Sequence, residues 1–450
     1  MRRIRSLAVA AAAAVSISAV GTVIAPPPAL AIPVPSCDDH AIYWNQVLLT
    51  AYASATGGNA SPTRLSRAGA MMHLAMYDTA VSLGMAGTPY LTKVAPAAGY
   101  SYDPIMNYDT AASTMLKNLF PSLDTASYYT TARKNCVPLE PGPNGLSTDV
   151  ATRVVQNIMS ARANDHSTDT TAYAPSLTAG QWRPTESGKS AVDPNWGKVT
   201  PFGLASPSQF RPSLPGGFTD VTTMLHSTQY AQQVNEVRAA GSASAPVSAR
   251  TADQTVAAHF WANDLDGTYK PPGQLFKITQ DVAAARSGTN RIKLFALVSM
   301  AMADAGITAW DAKFDTSIDL WRPDTAIAEP QGDGNAATTP DAAWQPLSAD
   351  RSGNHFSPPF PAYISGHATF AGAWAGIMKR YYGTDAVTFT AGTQDPYATG
   401  VTRTFTSFSA AATEDAMSRL WLGVHFRWDA DSGLSSGDQV AAYIVGNKLL

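Results

Sequence analysis

Residues 365–378 have the sequence Ser-Gly-His-Ala-Thr-Phe-Ala-Gly-Ala-Trp-Ala-Gly-Ile-Met. Ser365 is a good helix N-cap, and the apolar, small-residue run behind it predicts a buried helix. Because Gly366 has no side chain, the first amide groups of that helix can approach an anion, which the helix dipole attracts. His367 would lie in the first turn, directed at the anion. Taken alone, the tripeptide also fits an ordinary capping or surface histidine.

Apolar residues recur at helical spacing over most of the chain, and strand signals are weak. The pattern predicts helices at 39–55, 62–83, 108–119, 125–133, 147–163, 219–239, 252–262, 274–287, 291–313, 366–382, 410–422 and 429–449, and a hairpin near 387–408. Segments 175–215 and 329–361, rich in Pro, Gly and polar residues, are predicted to be irregular. We therefore expect a mainly α fold of helix bundles, two packed four-helix-bundle-like units with long irregular loops.

Residues 418–429, Ser-Arg-Leu-Trp-Leu-Gly-Val-His-Phe-Arg-Trp-Asp, add a second group of candidate ligands. Arg419 offers a planar guanidinium that can bind an oxyanion through two N–H groups. His425 lies too far along for the same face of an ideal helix, so a break near Gly423 is expected. Asp429 could accept the second N–H of the His425 ring, which would leave the other nitrogen as a ligand or nucleophile. An ordinary helical salt bridge is the alternative.

Lys313 and Arg322 lie upstream of both stretches and flank the sequence Phe-Asp-Thr-Ser-Ile-Asp-Leu-Trp. Pro323 is expected to end any helix there. In isolation the two cations could simply be neutralised by Asp315 and Asp319. The full order, Lys, Arg-Pro, Ser-Gly-His, then Ser-Arg with His and Asp following, supplies the groups that hold a multiply charged, tetrahedral anion. It therefore indicates one oxyanion site.

This ordered set of motifs resembles the superfamily of vanadium-dependent haloperoxidases and type-2 phosphatidic acid phosphatases, whose members share one oxyanion site. The core of the resemblance covers roughly residues 291–450, and segments 71–78 and 260–264 also resemble the haloperoxidase branch. We therefore expect an N-terminal helical part of the catalytic unit at 32–289. A core at 290–450 would carry the oxyanion site in its C-terminal bundle.

The resemblance implies a role for each matching residue. The equatorial oxygens of vanadate or phosphate would be held by Lys313, Arg322, Ser365, Gly366 and Arg419. His425 would bond the central vanadium or phosphorus atom, with Asp429 behind it, and His367 would be the acid–base partner of an apical oxygen. Vanadate is the implied cofactor. No haem is expected, because the chain has no Cys-x-x-Cys-His attachment motif.

Three further residues are assigned by the same resemblance. Trp310 and Phe360 match positions that resemble the halide pocket of chloride-oxidising members, although plain core packing would explain either residue alone. Asp264 resembles an acidic residue that pairs with the arginine of the Arg-Pro motif, here Arg322. Asp266 is a competing candidate for that pairing.

The spacing of Lys313 departs from the family pattern, since eight residues separate it from Arg322, more than is usual. On a continuous helix this spacing would place Lys313 on the opposite face. A bulge or loop must therefore restore it, or Lys313 is not a ligand. Ile364 also replaces the usual proline before Ser365, which loosens the turn but removes no chemical group.

The function implied is that of a secreted, vanadate-dependent haloperoxidase. It would use hydrogen peroxide to oxidise a halide, either bromide or also chloride, to hypohalous acid. A small organic acceptor is a further candidate partner. The alternative enzyme is a metal-free acid phosphatase, in which His425 forms a phospho-histidine and His367 protonates the leaving group. A non-catalytic oxyanion carrier is the alternative from another class of protein.

The start of the chain, a basic segment and an apolar stretch that ends at Ala29-Leu30-Ala31, predicts a secretory signal at 1–31 that is cleaved after Ala31. Its removal takes away three Arg and no acidic residue, so the formal net charge falls from −3 to −6 and no nucleic-acid partner is expected. In an exported protein, Cys37 and Cys136 can form one disulfide; two unpaired thiols are the alternative. No segment after residue 31 is expected to span a membrane.

Overall fold

The computed structural model describes residues 32–37, 39–136, 139–186, 189–329 and 332–450. Over these residues the chain is mainly α-helical, as expected, and its strands form one two-stranded antiparallel hairpin. The predicted signal sequence at 1–31 lies outside the described residues.

The helices of the N-terminal part are α1 (His40–Ser54), α2 (Pro62–Ser82), α3 (Pro104–Leu119), α4 (Thr125–Ala132), α5 (Asp149–Ala161), α6 (Val221–Leu225), α7 (Thr228–Ala240), α8 (Ala252–Phe260) and α9 (Lys270–Ala284). Those of the C-terminal part are α10 (Arg291–Phe314), α11 (Pro323–Ala328), α12 (Gly366–Tyr382), α13 (Phe408–Trp421) and α14 (Arg427–Asn447). The predicted hairpin is confirmed as β1 (Phe389–Gly392) and β2 (Thr402–Phe405).

Four long helices, α10, α12, α13 and α14, pack around a common core in the C-terminal part. α12 and α14 approach most closely because glycines lie at their contact. A Cβ on Gly372 would lie 2.5 Å from a backbone oxygen of α14, and one on Gly437 would collide with a backbone oxygen of α12. The start of α12 is therefore held beside the first turn of α14, where the amide of Ser365 donates to the carbonyl oxygen of Asp429 (3.0 Å).

The N-terminal part shares this core through α2 and α10, which are buried over most of their length. One hydrophobic cluster runs through both parts, so the division near residue 290 stays a prediction. His73 of α2 lies in this cluster, with its ring stacked on Phe295 (centroids 4.8 Å apart). Burial lowers the pKa of His73 to about 3, so the ring is neutral. Cys37 and Cys136 form the expected disulfide, which joins the segment before α1 to the end of α4.

One helix in the described part of the chain has the length and apolarity that a membrane span requires. This helix is α10, and 89% of its most apolar window is buried inside the protein. It packs against α2, α12 and α14. In this fold α10 is the central helix of the shared core.

Two local predictions are wrong. The helix predicted at 219–239 is two helices, α6 and α7, because Ser227 caps α7 by accepting a hydrogen bond from the amide of Tyr230 (3.0 Å). Pro323 does not end a helix but begins α11, since a proline in the first turn needs no acceptor for an amide hydrogen.

The segment at 175–215 is mostly irregular, as predicted, and buried polar groups fasten it to α10. Asp304 accepts hydrogen bonds from the amides of Phe202 (2.6 Å) and Leu204 (2.9 Å). The carbonyl oxygen of Val192 accepts one from the indole nitrogen of Trp310 (3.1 Å). The segment therefore covers the end of α10 that leads to the predicted site.

Candidate oxyanion site

Arg322 lies at the start of α11 with its side chain fully buried. Its Nε donates to the carbonyl oxygen of Phe360 (2.7 Å) and its Nη1 to that of Val424 (2.6 Å). Burial lowers the pKa of Arg322 to about 9, which still leaves the group charged at neutral pH. Two backbone carbonyls from distant loops thus orient this guanidinium.

Lys313, in the last turn of α10, reaches the same place. Its Nζ donates to the carbonyl oxygens of Pro361 (2.6 Å) and Ala362 (3.1 Å), next to the carbonyl that orients Arg322. α10 ends at Phe314, and an irregular loop separates it from Arg322. This is the loop that the long spacing required. Burial and the charge of Arg322 lower the pKa of Lys313 well below its usual range.

His425 follows the break that was expected near Gly423, whose φ of 81° is in the left-handed region. Nδ1 of His425 lies 3.0 Å from Asp429 Oδ2, which also accepts the amide of Phe426 (3.0 Å). Because Nη1 of Arg322 can only donate, Nε2 carries the lone pair and the proton is on Nδ1. That lone pair faces Nη1 of Arg322 at 3.0 Å. Burial and the neighbouring cations lower the pKa of His425 well below its usual range, so the ring is neutral.

Asp264, between α8 and α9, pairs with Arg419 and not with Arg322, which corrects the expectation from the resemblance. Its Oδ2 accepts from Nη2 of Arg419 at 2.7 Å. Burial alone would raise the pKa of Asp264, but the charge and the hydrogen bond of Arg419, together with smaller effects of neighbouring charges, hold the pKa below the ordinary value. The competing candidate, Asp266, is exposed and pairs with Lys270 (3.1 Å).

His367, in the first turn of α12, completes this side of the site. Its Nε2 lies 3.1 Å from the carbonyl oxygen of Ala262 and 3.9 Å from Asp264 Oδ1. Since a carbonyl only accepts, Nε2 carries the proton and Nδ1 the lone pair. Burial, with the charge of Arg419 as a smaller cause, lowers the pKa of His367 to about 3. The ring is therefore a neutral base at ordinary pH.

Ser365 caps α12 as predicted, accepting from the amide of Ala368 (3.3 Å). The ring of Trp310 covers Gly366, where an added Cβ would lie 3.2 Å from it. Trp310 also contacts Phe360, with ring centroids 4.8 Å apart. Trp310 is fully buried, as core packing would require, whereas Phe360 is only partly buried and its ring lies 5.1 Å from Nζ of Lys313.

The basic groups form one cluster, the recess, because Nη1 of Arg322 lies 3.0 Å from Nε2 of His425 and the charges of Lys313 and Arg419 also act on that ring. Nη2 of Arg322 and both Nε and Nη1 of Arg419 are buried and have no hydrogen-bond partner in the described part of the chain. Buried donors of this kind require an acceptor. Among the described residues no cluster of three or more His, Cys, Asp or Glu side chains could hold a metal ion. The donors therefore fit an oxyanion and not a bare cation.

Two contributors to this site had no signal strong enough in the sequence. Asn263 is fully buried, and its side chain binds Gln274 (2.8 Å) and the amide of Gln394 (3.1 Å), which fixes the residue before Asp264. Asp415 is buried one helical turn before Arg419, and burial raises its pKa well above the ordinary value. Asn263 belongs to the Phe-Trp-Ala-Asn-Asp segment at 260–264, and the resemblance of that segment to the haloperoxidase branch was the signal that could have indicated its role.

The fold and the buried N–H donors together define the class of protein. It is a mainly α protein with a buried cationic recess suited to a tetrahedral oxyanion. Residues 293–448 match the family model for the second helical-bundle domain of VCPO. Vanadium chloroperoxidase of Curvularia inaequalis is 30% identical over an alignment of 289 residues, which covers 53% of this chain and 46% of that protein. The chain therefore spans less than half the length of this curated relative.

Solved structures of bacterial proteins share the fold along nearly the whole chain. The first bacterial vanadium-dependent iodoperoxidase superposes with a TM-score of 0.72 at 22% identity, covering 93% of this chain and 97% of its own. A holo-type bacterial vanadium-dependent chloroperoxidase gives a TM-score of 0.64 at 17% identity, covering 88% and 96%. The chain is thus similar to vanadium haloperoxidases, in sequence over its C-terminal part and in fold over most of its length.

Proposed function

We propose that this protein holds vanadate in the recess and oxidises halide with hydrogen peroxide to hypohalous acid. The observation that carries the proposal is the set of buried guanidinium N–H groups on Arg322 and Arg419 that find no acceptor in the described chain. The similarity to vanadium chloroperoxidase and to vanadium-dependent iodoperoxidase supports vanadate and halide as the ligands. Bound vanadate would supply an electron-poor centre at which peroxide becomes an oxidant.

The anion would be held from three sides. Arg322 and Arg419 would donate their unused N–H groups, and Lys313 would donate the third N–H of an ammonium whose other two bind carbonyl oxygens. The first amides of α12, at Gly366 and His367, have no acceptor within their own helix and add neutral donors. These groups withdraw charge from the anion oxygens and make the bound group more electrophilic.

The two histidines would act through different nitrogens. His425 would bond the central atom through Nε2, because Asp429 holds the proton on Nδ1. His367 would accept the proton that peroxide must lose through Nδ1, whose lone pair is available while Nε2 donates to the carbonyl of Ala262. Burial keeps both rings neutral at the outset, which both roles require.

Phe360 and Trp310 would form the wall that the halide approaches. The rings contact each other, and cationic groups lie against the Phe360 face, with the guanidinium of Arg322 4.8 Å from it. An apolar wall removes water from the halide, and the cations beside the wall stabilise its negative charge. The similar solved structures are those of an iodoperoxidase and a chloroperoxidase, so iodide and chloride are both candidate halides for this wall. Export through a cleaved signal is proposed with this function, and the Cys37–Cys136 disulfide is compatible with an oxidising compartment.

A metal-free acid phosphatase is the second candidate. One observation favours it: the neutral, buried Nε2 lone pair of His425 would also serve as a nucleophile toward phosphorus. The same donors would hold phosphate, because it has the shape and charge of vanadate. His367 would then protonate the leaving group.

The deciding experiment compares the purified protein before and after addition of orthovanadate. We expect halide-dependent consumption of hydrogen peroxide, measured with chloride, bromide and iodide in turn, only after vanadate is added. His425→Ala should abolish it. Hydrolysis of a phosphomonoester that vanadate inhibits, without halide oxidation, would establish the phosphatase instead. Vanadate binding with neither activity would leave an oxyanion carrier and refute both enzymes.

A further inference from the structure

Another histidine and carboxylate pair lies outside the recess, beside the disulfide. His40, the first residue of α1, places Nδ1 2.6 Å from Oδ1 of Asp109 in α3. The indole nitrogen of Trp44 donates to the same oxygen (2.7 Å). His40 and Asp109 are both buried, with 3% and 0% of their surface exposed. The carboxylate therefore fixes the orientation of the imidazole and keeps a proton on Nδ1.

The other nitrogen of this imidazole faces the disulfide, with Nε2 of His40 3.2 Å from Sγ of Cys136. A disulfide sulfur has no proton to donate to that lone pair. A Cys136 thiol would have one, and the resulting thiolate and imidazolium would be a charge-assisted pair held in place by Asp109. The arrangement therefore stabilises the reduced form of Cys136 more than the oxidised form.

We propose that Cys37–Cys136 is a redox-active disulfide, with His40 as the residue that accepts and holds the proton of the released Cys136. This site is independent of the proposed halide chemistry. The reductant is a dithiol, small or protein-borne. Its thiolate attacks Sγ of Cys37, the bond between the two cysteine sulfurs breaks, and the electron pair leaves on Cys136. The second thiol of the reductant then displaces Cys37, so that the dithiol becomes a disulfide. The two protons of the dithiol go to Sγ of Cys37 and to Nε2 of His40, which leaves a Cys37 thiol and a Cys136 thiolate paired with the His40 imidazolium.

Reduction would remove the one covalent tie between residues 32–37 and the end of α4, which are 99 residues apart in the sequence. Long loops closed by a disulfide lose the most chain entropy, so the reduced form should unfold more easily. The site would thus convert the thiol–disulfide balance of its surroundings into a change of stability in the N-terminal part.

The test measures the equilibrium of the disulfide with dithiothreitol for the whole protein, His40→Asn, and the matched control His166→Asn, which changes an exposed histidine. Loss of one charge-assisted hydrogen bond to the reduced form should make His40→Asn about tenfold harder to reduce. For a two-electron couple, tenfold corresponds to about 30 mV. The control should equal the parent. Parent and His40→Asn values within twofold of each other would overturn the proposal.

A second measurement does not need the His40 variant to fold. In Cys37→Ser the Cys136 thiol is free, and its alkylation rate is followed against pH. We expect half-maximal alkylation at least one pH unit below that of an ordinary cysteine, which is about 8.5. An ordinary profile would show that His40 does not hold the proton of Cys136 and would refute the proposal.

Discussion

Replacing Arg419 by Lys tests the recess most directly, because the change keeps the positive charge and removes the planar fork. Nη2 of Arg419 is used by Asp264, while Nε and Nη1 are buried without a partner among the described residues. A lysine ammonium can retain the pairing with Asp264 but cannot present two fixed N–H groups to an anion.

The expected magnitude follows from these two groups. One charge-assisted hydrogen bond contributes about 1.5–3 kcal/mol net, so loss of one raises the Kd for vanadate between about tenfold and about 150-fold. If both groups bind the anion, the loss lies at or beyond the upper end. Without anion the effect on stability has the opposite sign, because five buried N–H groups of the guanidinium are replaced by three of an ammonium, so that fewer buried donors lack an acceptor. Ligand-free Arg419→Lys should therefore be no less stable than the parent.

Calorimetric titration with orthovanadate and with phosphate measures the Kd, and thermal unfolding with and without anion measures the stability. At 100 times its Kd, vanadate should stabilise the parent by about 2.7 kcal/mol, and the variant by clearly less at the same concentration. Arg427→Lys is the matched control, since Arg427 binds Glu236 through Nε (3.0 Å) and belongs to no part of the recess. Equal vanadate affinity in the parent and Arg419→Lys would refute the assignment of the orphaned donors to an oxyanion.

Three further variants probe the supports of the site and the core. Asp429→Asn should weaken vanadate binding about 10–100-fold in titrations, because it no longer fixes the His425 proton on Nδ1; an unchanged Kd would contradict that role. Asn263→Ala should lower the free energy of unfolding, measured in urea, by about 1–3 kcal/mol. It should also raise the Kd for vanadate, because Asp264 is no longer held in place. A loss of stability with an unchanged Kd would show that Asn263 supports only the fold. His73 has a folded-state pKa near 3, so it favours folding above the unfolded value near 6.5 and loses this effect as the pH falls. Between pH 7 and 5, His73→Phe should therefore lose about 2 kcal/mol less stability than the parent in urea titrations, and parallel losses would refute the neutral, buried ring.

Much of the C-terminal bundle could be predicted because its helix starts are encoded locally. Ser365 accepts from the amide of Ala368, and Ser407 caps α13 in the same way, accepting from the amide of Ala410 (3.0 Å). Such caps lie next to the helices that they begin, so the pattern alone locates them. The helix break before α7 was missed although Ser227 is also a cap, because the apolar spacing continues across it.

The pairing inside the recess could not be predicted in the same way. Asp264 lies between α8 and α9, and only the packing of α8 against α13 brings it to Arg419. Sequence order offers two guanidiniums for one carboxylate and no means of choosing between them. Lys313 is the converse case, since its unusual spacing allowed either a bulge or loop before Arg322 or a lysine that is not a ligand, and a loop is present. Its role as a ligand stays a prediction.

The glycine contact between α12 and α14 has a consequence for how the recess can vary. The first turn of α12 carries His367 and the start of α14 carries Asp429, so the two histidine-bearing walls of the site belong to different helices. Their separation is set by backbone touching backbone at Gly372 and Gly437, and no side chain acts as a spacer there. Substitutions of side chains elsewhere in the bundle core are therefore expected to change the distance between His367 and Asp429 little, because the backbone contact between α12 and α14 contains no side chain that they could alter.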